Sequence, residues 1–289
     1  MLLLIDGSTI LFRSFHGLPT SMKTKSGEMV NATFGFINTI VNLLDLFQPT
    51  HIACAFDTAA QTFRHKQYEG YKANRVEPPE GLFEQLPRIL EFLEALQVKT
   101  IMLPGYEADD IIGTLSRESN EKQMESAVVS GDNDFVQLIS NYTSFFCISR
   151  GLSNAISLTP ANVVEKHGLR ADQWIDYKAL RGDPSDNLPG VPGIGEKTAK
   201  TLLQTWDTLD NLYLNLDKVT GSAQTKLREH EKEARFTKEM VTINCQTPLT
   251  DHLDNVIYTG ANNSKMKALC DLLAFNKLGQ KYAGPETLF

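Results

Sequence analysis

Four short apolar runs in this chain each end in acidic residues, and that pattern limits the folds open to it. Leu2-Leu3-Leu4-Ile5 runs into Asp6, and Ala53-Cys54-Ala55-Phe56 runs into Asp57. The run beginning at Lys99 leads to Glu107, Asp109 and Asp110, and Ala127-Val128-Val129-Ser130 leads to Asp132 and Asp134. Runs of this length with β-branched residues read as buried strands. We expect strands at residues 2–5, 51–56, 99–103, 127–130 and 144–148. Between them Phe34, Ile37, Val41 and Leu44 recur at helical spacing, as do Phe83, Leu86, Leu90 and Leu93. Both stripes read as core, and Pro87 should strain the start of the second helix. Alternating strands and helices predict an α/β lobe with a mainly parallel sheet flanked by helices.

In an open sheet of that kind, sites form beyond the carboxyl ends of the strands. The four runs would deliver seven carboxylates to one edge. Glu107 and Asp110 are three apart, on one helix face. Asp132 and Asp134 are two apart and point the same way in an extended segment. Asp183 and Asp186 flank Pro184 at a helix start. A single Asp after a strand is usually a turn residue or helix cap, but nine gathered carboxylates repel one another and need cations. Oxygen ligands select Mg²⁺ or Mn²⁺, and two such ions suit phosphodiester hydrolysis. An EF-hand loop starting at Asp132 fails, because Gln137 and Thr143 stand where Gly and Glu are required.

The formal charge of −7 first argues against a nucleic-acid partner, but it becomes +2 once the nine carboxylates, each worth −1, are set aside. Cations also concentrate locally. Phe63-Arg64-His65-Lys66-Gln67-Tyr68 and Tyr71-Lys72-Ala73-Asn74-Arg75 interleave rings with positive charge. That pattern suits single-stranded DNA and equally a solvated amphipathic helix. His16 and His65 read as structural or functional alike.

Beyond about Arg150 the pattern turns to short helices, with Thr159-Pro160 as a helix start. Helices are expected at 196–206 and 222–235. Gly190-Val191-Pro192-Gly193-Ile194-Gly195-Glu196-Lys197-Thr198 is no P-loop, since Glu196 separates Gly195 from Lys197. It reads as a hairpin between helices, with backbone N–H groups, Lys197 and Lys200 placed for duplex phosphates. The four cysteines, Cys54, Cys147, Cys245 and Cys270, are far apart and form no CxxC pair, which suits a reducing cytoplasm. No signal peptide or membrane-spanning run is present.

Three blocks of sequence, in order, carry a family resemblance. They are Gly105-Tyr106-Glu107-Ala108-Asp109-Asp110, Gly131-Asp132-Asn133-Asp134, and Gly182-Asp183-Pro184-Ser185-Asp186-Asn187 with Gly195-Glu196-Lys197-Thr198-Ala199. With them, nearly the whole chain resembles the bacterial 5′-3′ exonucleases and flap endonucleases, including the 5′ nuclease domain of DNA polymerase I. The resemblance implies a PIN-like α/β lobe over residues 1–150, with a basic arch around 61–97. It implies a helical lobe over 151–289, with a helix-hairpin-helix element around 186–206. The implied activity is two-metal-ion hydrolysis leaving 5′-phosphates, at 5′ flaps, nicks and 5′ ends, in replication and repair. Asp6, Asp57, Glu107 and Asp109 would serve one metal, and Asp132, Asp134, Asp183 and Asp186 the other, with Asp110 between or behind them. Some relatives lack the second set, but this chain keeps Asp183 and Asp186. Lys72 and Arg75 would be catalytic cations on the arch. Arg64, Tyr71, Lys72, Arg75, Gly193, Gly195, Lys197, Thr198 and Lys200 would contact DNA, and the hairpin could hold K⁺. Asn133 departs from the lysine or arginine common there. The resemblance implies a cytoplasmic monomer that works with a polymerase or is fused to one. Met1 directly before a strand suggests a native start, and residues 284–289 could be an end or a linker. A non-catalytic branched-DNA-binding protein is the alternative. A small-molecule phosphatase is a distant third, with no use for the hairpin or the basic segment.

Overall fold

The computed structural model describes residues 1–148 and 151–283. The expected lobe boundary at Arg150 and the terminal segment 284–289 lie outside the described residues. Six strands form one sheet: β1 (Leu2–Asp6), β2 (His51–Ala55), β3 (Lys99–Ile101), β4 (Ser126–Ser130), β5 (Thr143–Cys147) and β6 (Ile156–Leu158). Their order is β3-β2-β1-β4-β5-β6. The first five pair in parallel and β6 is antiparallel. β6 has no counterpart among the expected strands, and it carries the sheet past the expected end of the lobe. From β1 the strand order runs outward both ways, so the switch point lies between β1 and β4, where open sheets place their sites.

The helices in the first half are α1 (Gly7–Gly17), α2 (Asn31–Phe47), α3 (Phe63–Gln67), α4 (Leu86–Ala95) and α5 (Ala108–Glu121). In the second half they are α6 (Val163–His167), α7 (Trp174–Arg181), α8 (Glu196–Trp206), α9 (Leu209–Leu214), α10 (Ser222–Glu229), α11 (Glu231–Val241), α12 (Asn263–Leu272) and α13 (Asn276–Lys281). β1 is buried throughout, because each face of the sheet is covered. Leu3 and Ile5 face a core built with α1, α2, α4, α12 and α13. Leu2 and Leu4 face a second core that runs through α5 and α7 to α11. The last helices therefore return to the sheet on the side opposite the helical lobe.

Several local expectations change. Pro87 sits in the first turn of α4, where a missing N–H costs nothing, so it does not strain the helix. Phe83 lies outside the core, 53% exposed, because the buried face of that segment runs through Leu82, Gln85, Ile89 and Phe92. The helix expected at Thr159-Pro160 begins only at Val163. The helix expected over 222–235 is broken at His230 into α10 and α11. α8 matches the expected 196–206. Among the described residues, no helix is long and apolar enough to cross a membrane.

Candidate active site

The carboxyl ends of β1 to β4 deliver acidic side chains to the switch point. Asp6 ends β1 and also caps α1, accepting from the Thr9 N–H at 2.9 Å; its other oxygen accepts from Ser130 Oγ at 2.6 Å. Asp57 follows β2 and accepts from the Ala108 N–H at 2.9 Å, which ties it to the start of α5. Asp109 lies in the first turn of α5, where the helix dipole favours negative charge. Asp132 follows β4 and accepts from the Asp134 N–H at 2.9 Å. Several of these residues are thus caps and cluster members at once.

The cluster has two differently built parts. In the first, Asp6, Asp57, Asp109 and Asp132 act on one another. Burial, and then Asp6 and Asp132, push the Asp109 carboxyl well above the ordinary carboxylate range. Burial raises Asp6 to about 6 in spite of its hydrogen bonds, with Asp57 adding to the rise. Asp132 therefore bears on both groups: after burial it also raises Asp134, to about 7, in spite of Lys178.

In the second part, Asp134, Asp183 and Asp186 each offer an oxygen, and these atoms lie within 4.8 Å of one another. Cations already stand against them. The Lys178 ammonium donates to Asp183 Oδ2 at 2.6 Å and also to Asp134 Oδ1. Burial works against that ammonium, but the two carboxylates more than offset it and raise its pKa. In turn Lys178 holds Asp183 below its ordinary value against burial. Arg75 donates to Asp186 at 2.8 Å, and Lys72 to Glu107 at 2.8 Å. The Tyr71 hydroxyl bridges Glu107 at 3.0 Å and Asp186 at 3.1 Å.

Two expectations are corrected, and Asp110 takes the second of its two expected places, behind the cluster. Asp110 is fully buried, and its oxygens accept from Arg64 at 2.8 Å twice and from the Glu107 and Asn244 N–H groups. It anchors the end of α5, and its oxygens do not face the cluster. Arg64 is correspondingly buried, 3% exposed, and also donates to the Met240 and Thr242 carbonyls, so it is not a surface contact for DNA. Tyr71 is buried over Glu107 and Asp186 and offers no open ring for stacking. Within the arch, helix is confined to α3 and the 83–95 segment: residues 69–74 are turns, and Lys72 takes a left-handed φ of 57°. His65 caps α3 through Thr62, a structural role.

Lys178 escaped the sequence reading. Its one signal there was its place inside Trp174–Leu180, a stretch of α7 that is almost wholly buried.

The hairpin joins α7 to α8. Gly182 and Gly190 have φ of 81° and 60°, and their backbones touch: a Cβ on Gly190 would fall on the Gly182 nitrogen, and one on Gly182 would meet the Pro189 carbonyl at 2.7 Å. Only glycine fits both positions. Gly193, Gly195 and Lys197 are exposed, and Thr198 and Lys200 partly so. Lys200 pairs with Glu196 at 2.7 Å. The Gly193 carbonyl accepts from the Lys226 ammonium at 3.0 Å.

Residues 1–168 match the family of 5′-3′ exonuclease N-terminal resolvase-like domains, and residues 169–264 match 5′-3′ exonuclease C-terminal SAM folds. These matched domains are those of a 5′ nuclease. The chain belongs to the 5′-3′ exonuclease family. It is 38% identical over 99% of its length to DNA polymerase I of Bacillus caldotenax, and 40% identical over 96% to that of Bacillus subtilis. It spans 33% and 32% of those relatives. Among solved structures, bacteriophage T5 D15 protein shares the fold with a TM-score of 0.69 at 20% identity, over 97% of each chain. The catalytic core of Rad2 does so with a TM-score of 0.62 at 14% identity, over 98% of this chain and 92% of that one.

Oxygen-only donors at two adjoining places, one of them with three carboxylates inside 4.8 Å, fit hard divalent cations.

Proposed function

We propose that this chain is a Mg²⁺-dependent, structure-specific 5′ nuclease. It hydrolyses phosphodiester bonds at 5′ flaps, nicks and 5′ ends and leaves 5′-phosphates, with Mn²⁺ able to substitute. The observation that carries the reading is the convergence of strand-end carboxylates at the switch point, beside the Asp134, Asp183 and Asp186 triad. Bound divalent ions there supply Lewis-acid activation of water and charge neutralisation at the scissile phosphate.

The protein's own residues do the rest. Asp6, Asp57, Glu107, Asp109 and Asp132 hold one ion, and Asp134, Asp183 and Asp186 the other. Lys72 and Arg75 now face Glu107 and Asp186. When carboxylate charge is taken up by ions, their ammonium and guanidinium groups can turn to the phosphate and stabilise its developing charge. The exposed N–H groups of Gly193, Gly195 and Thr198, with Lys197 and Lys200, grip duplex backbone without reading bases. The relatives named DNA polymerase I support work alongside a polymerase, or fusion to one.

The test is cleavage of labelled 5′-flap, nicked and single-stranded DNA, with Mg²⁺ and with chelator. Mg²⁺-dependent release of 5′-phosphorylated product from the flap is expected. Tight flap binding without cleavage in Mg²⁺ or Mn²⁺ would instead establish a branched-DNA-binding protein.

A further inference from the structure

We infer that Lys178 is an internal counter-ion of the second carboxylate group, competing with a divalent cation for Asp134 and Asp183 and making that site the weaker of the two. This rests on the reading of the cluster as a metal centre. Among the described residues, the cluster's ion pairs fall on Glu107, Asp134, Asp183 and Asp186, and none falls on Asp6, Asp57, Asp109 or Asp132. Lys178 is the buried cation of the Asp134, Asp183 and Asp186 group, whereas Arg64 and Lys72, also little exposed, pair with Glu107. Arg75 is 53% exposed at its side chain and can swing away. Lys178 is 8% exposed and rises from the middle of α7, between partners on both sides.

A buried ammonium stays charged only if carboxylates hold it, and buried carboxylates need a cation in return. Asp134 and Asp183 thus carry part of their compensation inside the fold. A divalent ion arriving at the same oxygens meets a positive charge it must push aside or tolerate. Among the described residues the first group's four aspartates have no such occupant; Lys72 and Arg64 pair with Glu107 beside them instead, so more of that group's compensation must come from solution. The two sites should therefore fill in order, the first tightly and the second weakly, with Lys178 setting the gap.

The experiment is Mn²⁺ titration of the metal-free full chain without DNA, counting bound ions by electron paramagnetic resonance and calorimetry. Lys178→Met keeps the apolar stem and removes the charge. Lys178→Gln replaces the ammonium with a neutral amide that can still donate to both carboxylates, in case the methionine variant does not fold. Either variant should bind its second Mn²⁺ about ten- to a hundredfold more tightly, with the first unchanged. Its metal-free melting temperature should fall below the parent's and recover more on adding Mn²⁺. A second Mn²⁺ bound no more tightly than in the parent, or a gain confined to the first ion, would overturn the inference. A parent that binds two Mn²⁺ yet cuts no DNA would instead overturn the nuclease reading and leave this one standing. A parent that binds no Mn²⁺ would overturn both.

Discussion

The two parts of the acidic cluster solve the same electrostatic problem in opposite ways. Asp6, Asp57, Asp109 and Asp132 stand together, and burial, with their repulsion added, raises the pKa values of Asp6 and Asp109. Asp134, Asp183 and Asp186 face Lys178 and Arg75; Asp183 is held low, while burial and then Asp132 still raise Asp134 to about 7 in spite of Lys178. One part stores unfavourable charge that a ligand relieves; the other is partly compensated by the fold before any ligand arrives. Clustered acids therefore do not by themselves indicate a high-affinity ion site.

The contrast is sharpest at neighbouring residues of α5. Asp109→Ala should lower cleavage by about 10²–10³-fold or more, since it removes a ligand from the charge-stabilising apparatus. Its metal-free melting temperature should match or exceed the parent's, because repulsion is relieved. Asp110→Ala should instead lose about 3–5 kcal/mol of stability, because it leaves the Arg64 guanidinium buried without its carboxylate. Equal melting curves for the two variants would erase the distinction between an open ligand and a buried anchor.

A second comparison sets the cluster against the hairpin. Lys72→Ala should cut single-turnover cleavage by about 10²-fold with only a modest loss of 5′-flap affinity in Ca²⁺. The double variant Lys197→Ala/Lys200→Ala should weaken binding and flatten its salt dependence by about one unit of slope for each lysine–phosphate pairing removed, with single-turnover cleavage near normal at saturating protein. Anisotropy and rapid-quench assays on one substrate separate the two. Exchanged roles would refute the placement.

The smallest effect is on pH. A carboxyl raised from 3.8 to about 6, as at Asp6, binds its proton more tightly folded than unfolded. Stability is then greatest at low pH and falls as pH rises through that window. Asp134, raised to about 7 by burial and then Asp132, has the same sign, whereas Asp183 has the opposite sign and its contribution is lost only below the ordinary carboxylate range. Between about pH 5 and 7.5 the metal-free protein should lose roughly 1–3 kcal/mol, several °C in melting temperature. Mg²⁺ should flatten that slope. A metal-free melting curve that does not move across this interval would show that burial and mutual repulsion do not raise these carboxyls.

The sequence made the parallel strands and the acids at their ends legible, because the apolar runs of β1, β2 and β4 are short, uninterrupted and closely followed by Asp. β6 was hidden: it has three residues, and Ile156 and Ser157 are exposed. The segment from Arg64 to Arg75 was misread in part, since rings alternating with cations look the same whether they await bases or lie buried against Glu107 and Asp110. Lys178 could not be placed from spacing, because only tertiary packing decides that a lysine in an amphipathic helix points inward. The fold class and most of the candidate cluster were thus legible, while the division between compensated and uncompensated acids was not.

The contact between Gly182 and Gly190 has a mechanical meaning. Gly182 immediately precedes Asp183 of the cluster, and Gly190 opens the hairpin. With no side chain between them, the two backbones meet as a joint without play. Were the hairpin to hold the duplex as proposed, it would act as a ruler measured from the grip to the acids, and main-chain geometry at these glycines would set the position of the cut.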